Sequence, residues 1–252
     1  MSESIHESAG TVLVTGGSRG IGAATCKLAA KRGWAVAVNY ARDRAAAEAV
    51  VAAITSAGGR AMAVQADVAV DAEVRAMFAA IDRELPPLAG LVNNAGVVDV
   101  PARVEAMSVE RLQRMFAINV FGSFYCAREA ILRMKAKRRG AIVNLSSAAA
   151  KLGGGGQYVD YAAAKGAIDS FTLGLAREVA GDGIRVNAVR PGIIATDIHA
   201  SGGAPDRAAE MAPLVPLKRA GSSEEVAEAI VWLLSDASSY TTGSIVEVTG
   251  GR

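Results

Sequence analysis

The stretch "TVLVTGGSRGIGAATCKLAA", residues 11–30, decides the fold. It opens on a short β-branched run, turns through Gly16, Gly17 and Gly20, and continues into alanine-rich sequence of helical character. A strand that feeds a helix through a tight glycine turn is the opening unit of an alternating α/β chain. Gly16, Gly20 and Gly22 follow the spacing G-x-x-x-G-x-G, not the better-known G-x-G-x-x-G. The physics is shared. Glycine lets the backbone turn sharply and approach a ligand, and the helix N-terminus offers N–H groups to a pyrophosphate. The same residues 16–20 also match G-x-S-x-G, the nucleophile elbow of serine hydrolases. That alternative needs a histidine base, for which only His6 and His199 exist. It also needs several strands ahead of the elbow, whereas Ser18 follows the first.

Beyond this unit, strand-like runs recur as "AVAVNY" (35–40), "RAMAVQADV" (60–68), "GLVNNAG" (90–96), "GAIVNLSS" (140–147), "IRVNAVRPG" (184–192) and "GSIVEVTGG" (243–251). Helical patterns fill the intervals at 20–32, 43–57, 71–84, 108–137, 160–180 and 223–235. Near-continuous apolar strands alternating with helices predict a parallel sheet covered on both faces. The expected fold is α/β: a single doubly wound Rossmann domain with a seven-stranded parallel sheet over residues 11–252, after a flexible tail at 1–10. The segment "DIHASGGAPDRAAEMAPLVP" (197–216) is the one long irregular stretch and reads as a lid or binding loop.

Composition narrows the function. Lys plus Arg is 27 against 25 Asp plus Glu, and a net charge of +2 argues against a nucleic-acid partner. The basic run "RMKAKRRG" (133–140) closes an amphipathic stretch and reads as a solvated helix C-terminus. Cys26 and Cys126 suggest reduced thiols and a cytoplasmic location. Two histidines without a ligand-spaced cluster predict no metal. The start "MSESIHESAG" has no apolar signal-peptide core, and no run approaches the ~20 apolar residues of a membrane span.

The chemistry centres on "QYVDYAAAKGAID" (157–169). Tyr161 stands one helical turn before Lys165 and Tyr158 two turns before it, so either phenol can share a face with the amine. Upstream, Ser146 and Ser147 point to opposite sides of a strand, so only one can face a pocket. Asn119, a poor helix former between Ile118 and Val120, also invites explanation.

Taken in order, "TGGSRGIG" (15–22), "NNAG" (93–96), Asn119 in "INVFG", "NLSS" (144–147), Tyr161–Lys165 and "PGIIAT" (191–196) make the chain resemble the short-chain dehydrogenases/reductases. It looks most like bacterial glucose-dehydrogenase-like and 3-oxoacyl-carrier-protein-reductase-like members. The resemblance implies an oxidoreductase that interconverts a carbonyl and a secondary alcohol in a small-molecule substrate, assembled as a homotetramer. It implies that Gly16, Ser18, Arg19, Gly20, Ile21 and Gly22 hold the pyrophosphate and ribose, and that Asp67 and Val68 flank the adenine. Asn94, Ala95 and Gly96 would lie under the adenosine ribose, and Pro191, Gly192, Ile194 and Thr196 would hold the nicotinamide carboxamide. Asn119, Ser147, Tyr161 and Lys165 match the catalytic set, which selects Tyr161 over Tyr158 and Ser147 over Ser146. Tyr161 and Lys165 would also touch the cofactor. A non-catalytic binding protein on the same fold would not require the proton-transfer set.

A free phenol titrates near 10 and is a poor base at neutral pH. An ammonium about 4 Å away, at an effective dielectric near 20, contributes ~4 kcal/mol towards the phenolate. Lys165 is therefore expected to draw Tyr161 towards neutrality. The cofactor expectation is NADP(H) over NAD(H). Tyr40 stands where an acid would bind the ribose 2′-hydroxyl, Arg42 follows it, and Arg19 can reach the same phosphate from the glycine turn. Asp43 is the alternative acid.

Overall fold

Every residue of β1 (Thr11–Val14), β2 (Ala35–Tyr40) and β5 (Gly140–Leu145) is buried, as a strand covered on both faces must be. The computed structural model describes residues 10–196, 202–204 and 206–252. Its sheet adds β3 (Ala61–Gln65), β4 (Leu88–Asn93), β6 (Ile184–Pro191) and β7 (Ile245–Val248). The order is β3-β2-β1-β4-β5-β6-β7, and every neighbouring pair is parallel. This is a single doubly wound, Rossmann-like α/β domain with a seven-stranded sheet.

Alternation along β1 divides the core. Leu13 points into a layer roofed by α3 (Asp71–Glu84), α5 (Gly122–Lys137) and α7 (Val159–Val179). Val12 and Val14 point into the opposite layer, under α1 (Gly20–Lys31), α2 (Arg44–Ser56) and α9 (Ser223–Leu234). A third element of order is polar. Asn93 Nδ2 donates to Asn144 Oδ1 at 2.9 Å, and Asn144 Nδ2 donates to Thr172 Oγ1 at 2.9 Å. This buried chain ties β4 to β5 and β5 to α7.

β1 pairs with β2 on one side and β4 on the other, so the chain leaving β3 at the sheet edge returns to its middle. The winding direction reverses there, and a crevice opens beyond the carboxyl ends of β1 and β4.

Three local expectations are refined. The predicted helix over 108–137 is split into α4 (Val109–Phe116), a five-residue π turn (Ala117–Phe121) and α5. Asn119 causes the break: its buried amide donates to the Val97 and Met115 carbonyls at 3.0 Å and accepts the Val97 N–H at 3.2 Å. A wide turn is how a helix accommodates an inward polar group with partners outside its own ladder. Several strands also end earlier than their apolar runs, at Val14, Asn93 and Leu145, because the residues that follow leave the ladder for the crevice. Within 197–216, the described part holds a short helix α8 (Arg207–Met211) and a 3₁₀ turn (Ala212–Leu214) where irregular chain was expected.

The start of α7 is anchored by one buried ion pair. Arg111 on α4 donates to Asp160 at 2.8 Å from Nε and 3.2 Å from Nη2, while its Nη1 reaches the Val100 carbonyl at 2.7 Å. The side chains are 9% and 0% exposed. Arg111→Ala is expected to destabilise the protein by about 3–5 kcal/mol in urea unfolding, because it strands a buried carboxylate. Adding Asp160→Ala should recover part of that loss. Equal instability of the single and double variants would mean that the charge pairing is not what matters there.

Candidate active site

The glycine turn is clamped from both sides. Thr15 Oγ1 accepts the N–H groups of Asn94 and Ala95, both at 3.0 Å. Asn94 Nδ2 donates to the carbonyls of Thr15 at 2.8 Å and Gly16 at 3.0 Å. From the other side, Asn39 Oδ1 accepts the Gly16 N–H at 3.1 Å, and Asn39 Nδ2 donates to Ala66 O at 3.1 Å. Gly22 is required by contact: a Cβ there would lie 2.3 Å from the Gly16 carbonyl oxygen and 2.6 Å from Asn94 Nδ2. Gly16 and Gly20 hold φ of +60° and +52°, a region other residues rarely adopt.

This turn delivers the start of α1 with no side-chain cap and no acid in its first turn. By contrast, α2, α4 and α9 are capped by Asp43, Ser108 and Ser222. An uncapped helix start behind a glycine turn fits the pyrophosphate of a dinucleotide. Ser18 is half-buried within the turn, and Arg19 is exposed at its tip. Tyr40 is buried at the end of β2, and Arg42 beyond it is exposed. Asp67 folds over the turn after β3, its Oδ1 accepting the Ala69 N–H at 2.9 Å. Val68 is buried against Gly122, where a Cβ would meet it at 2.7 Å.

Further along the crevice lies a cleft of about 430 Å³. Ser147, Tyr161 and Lys165 line it together with Ile21, Asn94 and Gly96. Pro191, Gly192, Ile194 and Thr196 form the wall beyond β6. Asn119 stands just behind, since a Cβ on Gly96 would fall 2.8 Å from its Oδ1 and 3.6 Å from Lys165 Nζ. The absence of a side chain at Gly96 is what leaves room for the Asn119 amide. Ser146 and Ser147 both line the cleft, against the expectation that only one could, because β5 ends at Leu145 and strand alternation stops there. Ser146 donates to the Lys165 carbonyl at 3.3 Å, and Ser147 accepts the Ala149 N–H at 3.1 Å.

Lys165 is buried, and its Nζ donates to the Leu145 carbonyl at 2.6 Å, 5.6 Å from the centre of the Tyr161 ring. Burial pulls its pKa down from the ordinary 10.5 to about 8, opposed by the Asp169 charge. Burial pushes the Tyr161 phenol up from 10.0 to about 12, with the Ser147 hydroxyl acting the other way. This corrects the expectation that Lys165 brings Tyr161 near neutrality. In this geometry burial is the largest influence on each group, and the amine is turned towards a backbone carbonyl.

Sequence reasoning missed several participants. Thr15 and Asn39 brace the turn, although both sit within quoted motifs or beside them. Tyr158, by contrast, lies on the cleft wall where its spacing to Tyr161 put it, and the Arg207 guanidinium 5.0 Å over its ring is the unforeseen neighbour. Arg207 and Arg252 both line the cleft, brought there only by tertiary folding. Among the described residues no group of three His, Cys, Asp or Glu side chains could hold a metal, and no helix is long and apolar enough to cross a membrane. Cys26 and Cys126 are buried free thiols; burial raises both, Cys126 to about 12. The histidines that a serine hydrolase would need, His6 and His199, lie outside the described residues.

A family model described as enoyl-(acyl carrier protein) reductase matches residues 16–252. The chain is 54% identical over 243 residues to the uncharacterized oxidoreductase YgfF of Escherichia coli (strain K12), covering 95% of this chain and 98% of the relative. It is 40% identical over 240 residues to a 3-oxoacyl-[acyl-carrier-protein] reductase of Synechocystis sp., covering 95% of each. It is also 40% identical over 243 residues to 3beta-hydroxysteroid dehydrogenase 1 of Eggerthella lenta, covering 96% of this chain and 92% of the relative. The chain belongs to the short-chain dehydrogenase/reductase family of oxidoreductases.

The buried amine makes a prediction about stability. Below pH 8 the folded and unfolded chains both carry the Lys165 ammonium, and the folded state bears the whole burial penalty. Between about 8 and 10.5 the folded protein sheds that proton first, and the penalty fades. Lys165→Met is therefore expected to unfold at higher urea than wild type at pH 7, by about 1–4 kcal/mol. The gap should narrow as pH rises through that window. A variant less stable than wild type at pH 7 would show that the amine is not a burden on the fold.

Proposed function

We propose that this protein is an NADP(H)-dependent oxidoreductase that interconverts a carbonyl and a secondary alcohol, with Tyr161 as general acid and base. The observation that carries this reading is the meeting of Ser147, Tyr161 and Lys165 in one cleft beside the glycine turn. A bound nicotinamide supplies the hydride to the carbonyl carbon or removes it from the alcohol carbon. Ser147 hydrogen-bonds the substrate oxygen and stabilises the charge that develops on it. Tyr161 donates its proton to that oxygen in reduction and takes it back in oxidation. Lys165 would hold the nicotinamide ribose and relay the proton, and Asn119 would keep the route from Lys165 to solvent. The described part of 197–216 places Arg207 and Met211 on the cleft wall, which supports its reading as a substrate lid.

Asp67, Val68, Asn94 and Ala95 would complete the adenosine side. The 2′-phosphate of NADP(H) would meet Arg19 and Arg42, with Tyr40 in place of a repelling acid. Asp43 supports this choice, because its carboxylate is engaged as the cap of α2, accepting the Ala46 N–H at 2.9 Å. Exposed Val109, Leu112, Phe121 and Phe124 along α4, the π turn and α5 support assembly with further copies, read here as a homotetramer. The buried thiols support a cytoplasmic location.

Tyr161→Phe should lower kcat for ketone reduction at least about a thousandfold, whereas Tyr158→Phe should stay within roughly tenfold. Comparable kcat in the two folded variants would reassign the acid. Arg19→Ala combined with Arg42→Ala should raise KM for NADPH by about 10–100-fold and change KM for NADH little. Wild-type preference for NADH, with NADPH kinetics indifferent to the double substitution, would remove the cofactor assignment and leave the Tyr161 chemistry standing.

A further inference from the structure

The charged residues lining the cleft are Lys165, Arg207 and Arg252, and no Asp or Glu among the described residues joins them. Lys165 is committed to the Leu145 carbonyl at the buried end. Arg207 stands at the other end. Its guanidinium lies 5.0 Å over the Tyr158 ring, and its Nη2 donates to Gln157 Oε1 at 2.9 Å. Both partners are neutral. Half-buried Arg185 spends its donors on backbone carbonyls and the Ser238 hydroxyl, while Arg111, Arg133 and Arg190 pair with acids: Asp160, Asp82 and Asp169. Among the described residues Arg207 has no such partner, although it is half-buried against the apolar walls of Val98, Leu152 and Met211.

A half-buried guanidinium whose partners are all neutral keeps its charge open to an anionic ligand. An aromatic face and an amide orient its fork without neutralising it. Tyr158 stands at the start of α7, three residues before Tyr161, and both tyrosines line the cleft with Arg207, so this oriented cation and the Tyr161 phenol face one bound molecule. We infer that the substrate bears, beside its reacting carbonyl or hydroxyl, a carboxylate that Arg207 holds while the chain between them lies on the apolar wall. This narrows the substrate of the oxidoreductase reading and rests on it. A carboxylate fits better than a phosphoryl group. It brings one charge in a planar fork that matches the remaining Arg207 donors.

The test is kcat/KM with NADPH for 4-oxopentanoate and 5-oxohexanoate, each against its neutral amide, in wild type, Arg207→Gln and Arg207→Lys. At least one acid should be preferred to its amide by tenfold or more in wild type. That preference should vanish in Arg207→Gln and return in part in Arg207→Lys, with the change falling mainly on KM. An amide used as well as its acid, or an acid preference that survives Arg207→Gln, overturns the proposal. So does a stronger Arg207-dependent preference for dihydroxyacetone phosphate. A second measurement is independent of turnover: calorimetric titration of pentanoate and pentanamide into the protein. Pentanoate should bind and weaken at least tenfold in Arg207→Gln, and pentanamide should bind more weakly than pentanoate in wild type. Pentanoate binding that Arg207→Gln does not weaken overturns the proposal whatever the kinetics. Arg207-dependent pentanoate binding with no carbonyl compound reduced would instead overturn the oxidoreductase reading and leave the anion site in place.

Discussion

Asn94 donates from one amide to the carbonyls of Thr15 and Gly16, and the rest of the site depends on that pair of bonds. They lock the first residues beyond β1 to the first residues beyond β4, across the point where the sheet reverses its winding. Because the two strands are pinned at this spot, α1 must start close against the turn. The contact is so close that a single methyl at Gly22 would overlap the Gly16 carbonyl. An uncapped helix start is thereby held at the mouth of the crevice, its donors facing outward. Thr15 and Asn39 complete the clamp with bonds to backbone only, so the geometry does not rely on mobile side chains.

The catalytic end is built on the opposite principle. There, polar groups are buried at a cost that the surrounding fold must offset. Lys165 loses its hydration and gains one carbonyl, and Tyr161 is held as a neutral phenol. Stability for these groups comes from neighbours: the Arg111–Asp160 pair anchors the first turn of α7, and the Asn93–Asn144–Thr172 chain ties α7 to the sheet behind it. Strained electrostatics supported by a rigid second layer is what an acid–base site needs, since a relaxed pocket would let the lysine turn to solvent.

Asn119 joins the two ends. Its amide fills the π turn and grips the backbone of Val97, which follows Gly96. The loop beyond β4 is thus bonded to the glycine turn through Asn94 and to the interrupted helix through Asn119. The lack of a side chain at Gly96 leaves room for the Asn119 amide beside that loop.

The amino-acid sequence by itself determined the alternation of seven apolar runs with amphipathic helices, because burial on two faces demands continuous β-branched strands and that pattern is local. It also determined the order of the motifs that place the chain in its family, and the one-turn spacing of Tyr161 and Lys165. Tertiary structure alone decided the rest. The π turn at Asn119 exists because Val97, distant in sequence, offers the bonds that a regular helix would have denied it. The Tyr161 pKa moves opposite to the expectation from spacing, because desolvation depends on what surrounds a pair and spacing reports only on the pair. Arg207 reached the cleft from a segment with no periodic pattern to read. Its place over Tyr158 is a packing fact, and packing between distant segments leaves no local trace in a single sequence.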